Sequence, residues 1–213
     1  MIEIMRGLLC EELTYLYIDD KSKHGFVIDP GADGKRIAEY VKEKGYVIEK
    51  ILLTHGHGDH IYGADGLRKA TGAPIVMHKE GKSYVTNPVW NLSRALCGED
   101  IIFEADEYLE HGDEVILSSN EAFKVRLLHV PGHTTDGAIF YSESEQRAFV
   151  GDTIFAGSVG RSDFPGGNAL RLMSAIRAQV FTLPEETTLF PGHGPSTTVR
   201  REIDTNPVFN MFE

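Results

Sequence analysis

Apolar positions along the chain fall into two strand-rich blocks joined by helical and irregular stretches. Ile2-Glu3-Ile4-Met5-Arg6-Gly7-Leu8 and Leu13-Thr14-Tyr15-Leu16-Tyr17-Ile18 alternate or run apolar over strand lengths. Gly25-Phe26-Val27-Ile28 follows an Asp-Asp-Lys-Ser-Lys turn, so the chain is expected to open as a β-meander. Asp29-Pro30-Gly31 closes the third strand. Ile37, Tyr40 and Val41 then recur at helical spacing, with Gly45 as the stop. Lys50-Ile51-Leu52-Leu53 predicts a short buried strand running out into Thr54-His55-Gly56. Leu67 to Ala70 belong to a second helix ended by Gly72, and Pro74-Ile75-Val76-Met77 to another strand.

Between residues 79 and 106 the periodicity fades. This segment, with Tyr84, Asn87, Pro88, Trp90 and Cys97, is expected to be either a lid or binding loop or a poorly ordered surface connection. Val115-Ile116-Leu117, Phe123-Lys124-Val125-Arg126-Leu127-Leu128, Ala138-Ile139-Phe140-Tyr141 and Arg147-Ala148-Phe149-Val150 predict a second meander. In residues 169–176, Leu170, Met173 and Ile176 are expected to pack a helix on a sheet. Ser196 is the expected N-cap of a final helix over 199–203.

Composition narrows the class. A chain of 213 residues suits a single domain over 1–213, and 41% hydrophobic content with 22 glycines and nine prolines describes a turn-rich globular protein. No apolar run approaches the roughly 20 residues of a membrane span, and residues 1–10 lack a signal-peptide profile, so no membrane association and a cytoplasmic location are expected. The net charge of −11 argues against a nucleic-acid partner, which needs a basic stripe. Cys10 and Cys97, outside any CxxC pair, are expected to be reduced and structural. The pattern sets no oligomeric state.

The candidate chemistry sits in Thr54-His55-Gly56-His57-Gly58-Asp59-His60. In extended backbone His55 and His57 point the same way and can close on one ion, and Gly58 is expected to let the chain turn so that Asp59 and His60 face a second point. A lone loop histidine is ordinarily a solvated or hydrogen-bonded side chain. Four candidate ligands within six positions reverse that expectation. Imidazole and carboxylate without thiolate suit zinc, iron or manganese, with zinc the default. The helical zincin pattern, two histidines four apart flanking a Glu, is absent from this loop. Three later strand ends carry a ligand-type residue beside glycine: Pro131-Gly132-His133-Thr134, Gly151-Asp152-Thr153 and Pro191-Gly192-His193-Gly194. Seven candidates (His55, His57, Asp59, His60, His133, Asp152, His193) suit two divalent ions, because a catalytic zinc keeps about three protein ligands plus water.

These residues resemble the metallo-β-lactamase fold superfamily, whose marker is a His-x-His-x-Asp-His loop followed by a later His, Asp and His. The resemblance spans nearly the whole chain and implies an α/β, four-layer αββα sandwich with metals at one edge. It implies that His55, His57 and His133 hold one metal, that Asp59, His60 and His193 hold the other, and that Asp152 bridges. A cysteine or serine usually stands at the place of Asp152 in the β-lactamases themselves, so this carboxylate points away from antibiotic hydrolysis. Residues 155–167, with Gly160-Arg161-Ser162-Asp163-Phe164, and the closing Asn206-Pro207 are similar to the short glyoxalase II-like hydrolases, and the Gly-Arg-x-Asp-Phe signature is shared with the persulfide dioxygenases. Thr135-Asp136 stands where the family often has Pro-Gly, and the chain ends before any helical glutathione-binding domain. The thiol carrier is therefore left open.

The expected activity is hydrolysis of a small thioester by hydroxide shared between two ions, which lower a water's pKa toward about 7 and polarise the acyl carbonyl. The ions are zinc by default, or iron, or mixed. No Ser, Cys or Glu nucleophile is assigned, and Asp59 is expected to orient the water besides serving as ligand. Arg161 either holds a substrate carboxylate or locks its loop through Asp163, the lock being favoured. Asp29 is either the partner of a ligand histidine or a turn former. His24, His78, His111 and His129 are left as structural or exposed. The alternatives are a one-iron persulfide dioxygenase and, more remotely, a non-catalytic metal-binding or nucleic-acid module, which would be expected to close its site with cysteines.

Overall fold

The computed structural model describes residues 1–7 and 10–210. Strands β1 (Ile2–Arg6), β2 (Leu13–Ile18) and β3 (His24–Ile28) form the antiparallel opening, with Ile4 opposite Tyr15 and Tyr17 opposite Phe26. The first expected strand ends at Arg6, and its last expected residue, Leu8, lies outside the described residues. Helix α1 (Gly34–Lys44) starts where the Asp33 carboxylate accepts the Lys35 N–H at 2.8 Å and stops at Gly45, whose φ of 70° is a left-handed value that favours glycine. Then come β4 (Val47–Leu53), α2 (Gly58–Ile61), α3 (Ala64–Thr71), β5 (Ile75–His78), α4 (Lys82–Val85), α5 (Ser93–Cys97) and β6 (Glu107–Leu109). The six strands form one sheet in sequence order, parallel from β3 to β6.

The second sheet holds β7 (Glu114–Leu117), β8 (Asn120–His129), β9 (Ala138–Ser142) and β10 (Arg147–Gly151) as an antiparallel meander. A small hairpin of β11 (Ile154–Phe155) and β12 (Ser158–Val159) follows, then α6 (Ala169–Gln179), β13 (Thr188–Pro191), β14 (Thr197–Thr198), α7 (Val199–Thr205) and α8 (Pro207–Asn210). The sheet order is β14-β13-β10-β9-β8-β7, with β13 parallel to β10.

Side-chain alternation explains the layering. In β2, Leu13, Tyr15 and Tyr17 face the core between the sheets while Leu16 and Ile18 face the core under α1 and α3. In β9, Ala138 and Phe140 face the inter-sheet core while Ile139 and Tyr141 face the core under α6. Strands buried on both faces need a layer on each side, and the result is the four-layer αββα sandwich of the metallo-β-lactamase type.

Two expectations are corrected. Leu170 is 84% exposed, and α6 is buried through Leu172 and Ile176, one turn apart on the same face. The last long helix is capped by Thr198, whose hydroxyl accepts the Arg201 N–H, because the two-residue β14 occupies the stretch after Ser196. Cys10 and Cys97 are unbridged. Among the described residues no helix is long and apolar enough to cross a membrane.

Phe149 is fully buried between the sheets, its ring 5.4 Å from Tyr15, 5.2 Å from Tyr17 and 5.4 Å from Phe190. Phe149→Ala is expected to cost about 3–5 kcal/mol by lost burial and a residual cavity. Urea unfolding would show this as a lower midpoint at unchanged slope; a loss below about 1 kcal/mol would mean that the inter-sheet layer does not depend on this packing.

Candidate metal centre

Four strand ends supply the polar groups. His55, His57, Asp59 and His60 follow β4, His133 lies between β8 and β9, Asp152 follows β10 and His193 follows β13. Asp29, at the end of β3 with φ of 47°, ties the first of these in place. Its carboxylate accepts the Thr54 N–H at 2.7 Å, the Thr54 hydroxyl at 2.6 Å and His60 Nδ1 at 3.0 Å. Asp29 is therefore the partner of a candidate ligand histidine, as well as the residue that ends the strand.

The 79–106 segment is ordered and not a loose surface connection. It folds into short helices, buries Tyr84, Val85, Asn91 and Ser93, and packs directly on the ligand loop. The Gly58 N–H donates to the Asn91 carbonyl at 2.7 Å. A Cβ on Gly58 would stand 2.6 Å from Ser93 Cα, and one on Gly56 would stand 2.4 Å from Tyr84 Cβ. Gly58 has no left-handed φ and opens α2, so it serves close approach instead of the expected turn.

The seven candidates converge as two groups. Three nitrogens of the first group crowd together: His57 Nδ1 is 3.1 Å from His55 Nε2 and 2.9 Å from His133 Nε2. In the second, Asp59, His60 and His193 each offer an atom within 4.8 Å of the others, with Asp59 Oδ2 3.2 Å from His193 Nε2. Asp152 lies between the groups, Oδ1 at 3.3 Å from His60 Nε2 and Oδ2 at 3.8 Å from His133 Nε2 and 3.7 Å from His193 Nε2. Asp152 Oδ1 and His60 Nε2 are buried without a hydrogen-bond partner among the described residues. Buried groups left in this way call for a further partner, and nitrogens about 3 Å apart suit one ion with bonds near 2 Å. The donor set fits divalent ions.

The charges fit too. Burial first, and then the neighbouring histidines, hold His55 well below the ordinary imidazole value; burial and His133 push His57 down to about 3, and burial lowers His133. The first group thus offers neutral rings. Burial opposes charge at His60, but Asp152 and Asp59 outweigh it and hold His60 well above its usual value. For Asp59 and Asp152 burial is likewise outweighed, chiefly by His60, and both carboxyls are held below the ordinary range. The second group thus pairs the Asp59 carboxylate with a ring that holds its proton, beside the carboxylate of Asp152.

Arg161 and Asp163 lie on the rim as an internal pair, the guanidinium donating through Nε and Nη2 to the two carboxylate oxygens at 2.7 Å each. The Arg161 carbonyl accepts His133 Nδ1 at 2.7 Å, so the loop orients a candidate ligand through its backbone. The other histidines stay outside the centre: His24 pairs with Glu49 at 2.7 Å, His129 stacks on His78 at 3.8 Å and reaches the Thr135 carbonyl, and His111 accepts the His129 N–H. Two residues were not anticipated. Tyr84 carries no sequence signal for its place behind the ligand loop. Asp136, 1% exposed, places its carboxyl behind Gly56; the departure from Pro-Gly at 135–136 was the available hint.

Residues 9–193 match the metallo-β-lactamase superfamily. A probable metallo-hydrolase of Bacillus subtilis is 35% identical over 93% of this chain and 92% of its own length, and the hydroxyacylglutathione hydrolase GloC of Haemophilus influenzae is 31% identical over 98% of each. Among solved structures, the BLEG-1 B3 metallo-β-lactamase superposes with a TM-score of 0.91 at 30% identity, covering 98% of this chain and 99% of that one. TTHA1623 in a di-iron-bound form gives 0.83 at 29%, with the same coverage.

Asp29→Ala is expected to weaken metal binding about 10–100-fold by releasing His60, read by competition with a chromogenic chelator; unchanged affinity would reduce Asp29 to a turn former. A second expectation concerns pH. Burial pushes the Asp136 carboxyl up to about 7, above its unfolded value of about 4. The folded chain keeps a proton there that the unfolded chain releases, so stability from this group is present below that window and is lost as pH rises through it. The thermal midpoint of Asp136→Asn relative to the parent protein should therefore climb between about pH 4 and pH 7 and level off above, and a flat difference would contradict the assignment.

Proposed function

Because the chain belongs to the metallo-β-lactamase superfamily, we propose that it is a dinuclear metal-dependent hydrolase of small thioesters, glyoxalase II-like in its chemistry, with residues 1–213 as one hydrolase domain. The reading includes a cytoplasmic location, a small-molecule substrate and no nucleic-acid partner. It is carried by one observation: two three-residue ligand-type groups share the carboxylate of Asp152.

His55, His57 and His133 would hold one ion and Asp59, His60 and His193 the other, with Asp152 between them. When bound, the pair supplies Lewis acidity toward an acyl oxygen and acidifies water toward neutral pH. The chain's own groups do the rest. Asp29 accepts the Nδ1 proton of His60 and so leaves Nε2 directed toward Asp152. The Arg161 carbonyl does the same for His133, leaving its Nε2 toward His57. Asp59, 8% exposed and on the same side as His193, would orient the attacking water and accept its proton. A thiolate leaves with little acid help, so no further acid is required. Zinc is the default occupant by ligand chemistry, and a similar chain described in a di-iron form supports iron or a mixed pair as well.

One sequence feature favours a second reading, a one-iron persulfide dioxygenase: by resemblance the Gly160-Arg161-Ser162-Asp163-Phe164 stretch is common to both families. The similar B3 metallo-β-lactamase raises antibiotic hydrolysis, which Asp152 disfavours.

Metal-loaded protein should release thiol from acyl thioesters, consume no oxygen with glutathione persulfide and leave a cephalosporin intact. Oxygen uptake without thioester turnover would replace the first reading by the second. Asp59→Asn should lower thioester turnover about a hundredfold or more, and a variant that keeps both ions and full turnover would remove Asp59 from the proton transfer.

A further inference from the structure

Two aromatic rings bracket the ligand groups, one at each end. Phe164 meets His57 of the first group edge-on, with ring centroids 5.8 Å apart and planes at 88°. Phe155, in β11, meets His193 of the second group at 6.4 Å and 71°. Both are half-buried, so each keeps surface free at the rim, while the ligand histidines His55, His57, His60 and His133 behind them are buried.

The Phe164 wall is held in place from several directions. The Arg161 guanidinium lies 3.8 Å from the centre of its ring. The next residue, Pro165, offers its carbonyl to the buried Tyr84 hydroxyl at 3.1 Å, and that hydroxyl also accepts the Thr135 N–H at 3.0 Å. Arg161 is a cation on the rim, but its charge is already met by the bidentate contact to Asp163. The wall therefore presents ordered apolar surface and a neutralised ion pair, a poor match for a substrate group rich in carboxylate or phosphate.

On the thioester reading, we propose that Phe164 walls the acyl subsite while Phe155 walls the side of the thiol carrier, so that the preferred substrates carry an apolar, preferably aromatic, acyl group on a weakly charged thiol. A carbonyl placed between the two ligand groups has its two substituents directed toward the two ends of the centre, where each meets a ring. Fixed aromatic surface favours an apolar substituent by removing it from water and by ring-to-ring contact.

The test uses N-acetylcysteamine thioesters, whose carrier is uncharged, with acetyl, D-lactoyl, butyryl and phenylacetyl groups. The expected kcat/KM for phenylacetyl exceeds that for acetyl and for lactoyl by about tenfold or more, the discrimination an added apolar group earns in a hydrophobic pocket. In Phe164→Ala the phenylacetyl-to-acetyl ratio should fall about tenfold, whereas in Phe155→Ala it should hold. Phe164→Leu, which keeps apolar volume without a ring, should retain the butyryl preference and lose the phenylacetyl one. Calorimetric titration with phenylacetate and acetate supplies a readout independent of turnover, and phenylacetate should bind more tightly to the parent protein but not to Phe164→Ala. Turnover that is flat across the acyl series, or a lactoyl preference, would overturn the subsite while leaving the thioester reading intact. No turnover of any thioester would overturn that reading and the subsite with it.

Discussion

One buried carboxylate holds the centre together. Asp29 ends β3 in a left-handed backbone conformation and receives the Thr54 amide, the Thr54 hydroxyl and His60 Nδ1. Hydrogen bonds to a charged acceptor contribute about 1.5–3 kcal/mol each, and leaving such a group unpaired in the interior costs at least as much. These contacts tie the end of the first meander to the ligand loop. The same contacts decide which nitrogen of His60 faces the second ligand group.

The rest of the architecture brings the other groups to that point. Alternation in the central strands builds two helix-covered sheets face to face, and parallel pairing of β3 with β4 and of β10 with β13 places successive strand ends at one edge. A hydrogen bond from the Tyr15 hydroxyl to the Pro191 carbonyl at 2.6 Å links the first sheet to the end of β13, two residues before His193. Three imidazoles gather on one side, two imidazoles and the Asp59 carboxylate on the other, and Asp152 lies between them. Enclosing so many polar groups is tolerable only with compensating charge, which is why the donor set is best read as a cation site.

Much of this was legible in the sequence, because strand ends carrying His-x-His or Gly-Asp are local patterns and alternation over six residues is a strong signal. Gly45 and Gly72 stopped their helices where the pattern said. The 79–106 segment was not legible. Its short helices are too brief to show periodicity, and its role depends on Asn91 and Tyr84 meeting glycines more than twenty residues earlier in the chain. Leu170 was misassigned because one apolar residue at the start of a helix carries no information on which neighbour it will meet; the buried pair Leu172 and Ile176 defines the face. For Arg161, the two-residue spacing to Asp163 suggested the pair, but the contact of its carbonyl with His133 is a backbone property that no side-chain pattern encodes.

The central claim is that two ions occupy the two ligand groups across Asp152. Elemental analysis of freshly purified protein, with metal and protein measured on the same sample, tests it most directly. The account predicts about two divalent ions per chain, zinc, iron or a mixture. About one ion per chain after loading with either metal in excess would contradict it and leave the second group as a buried ion-pair network.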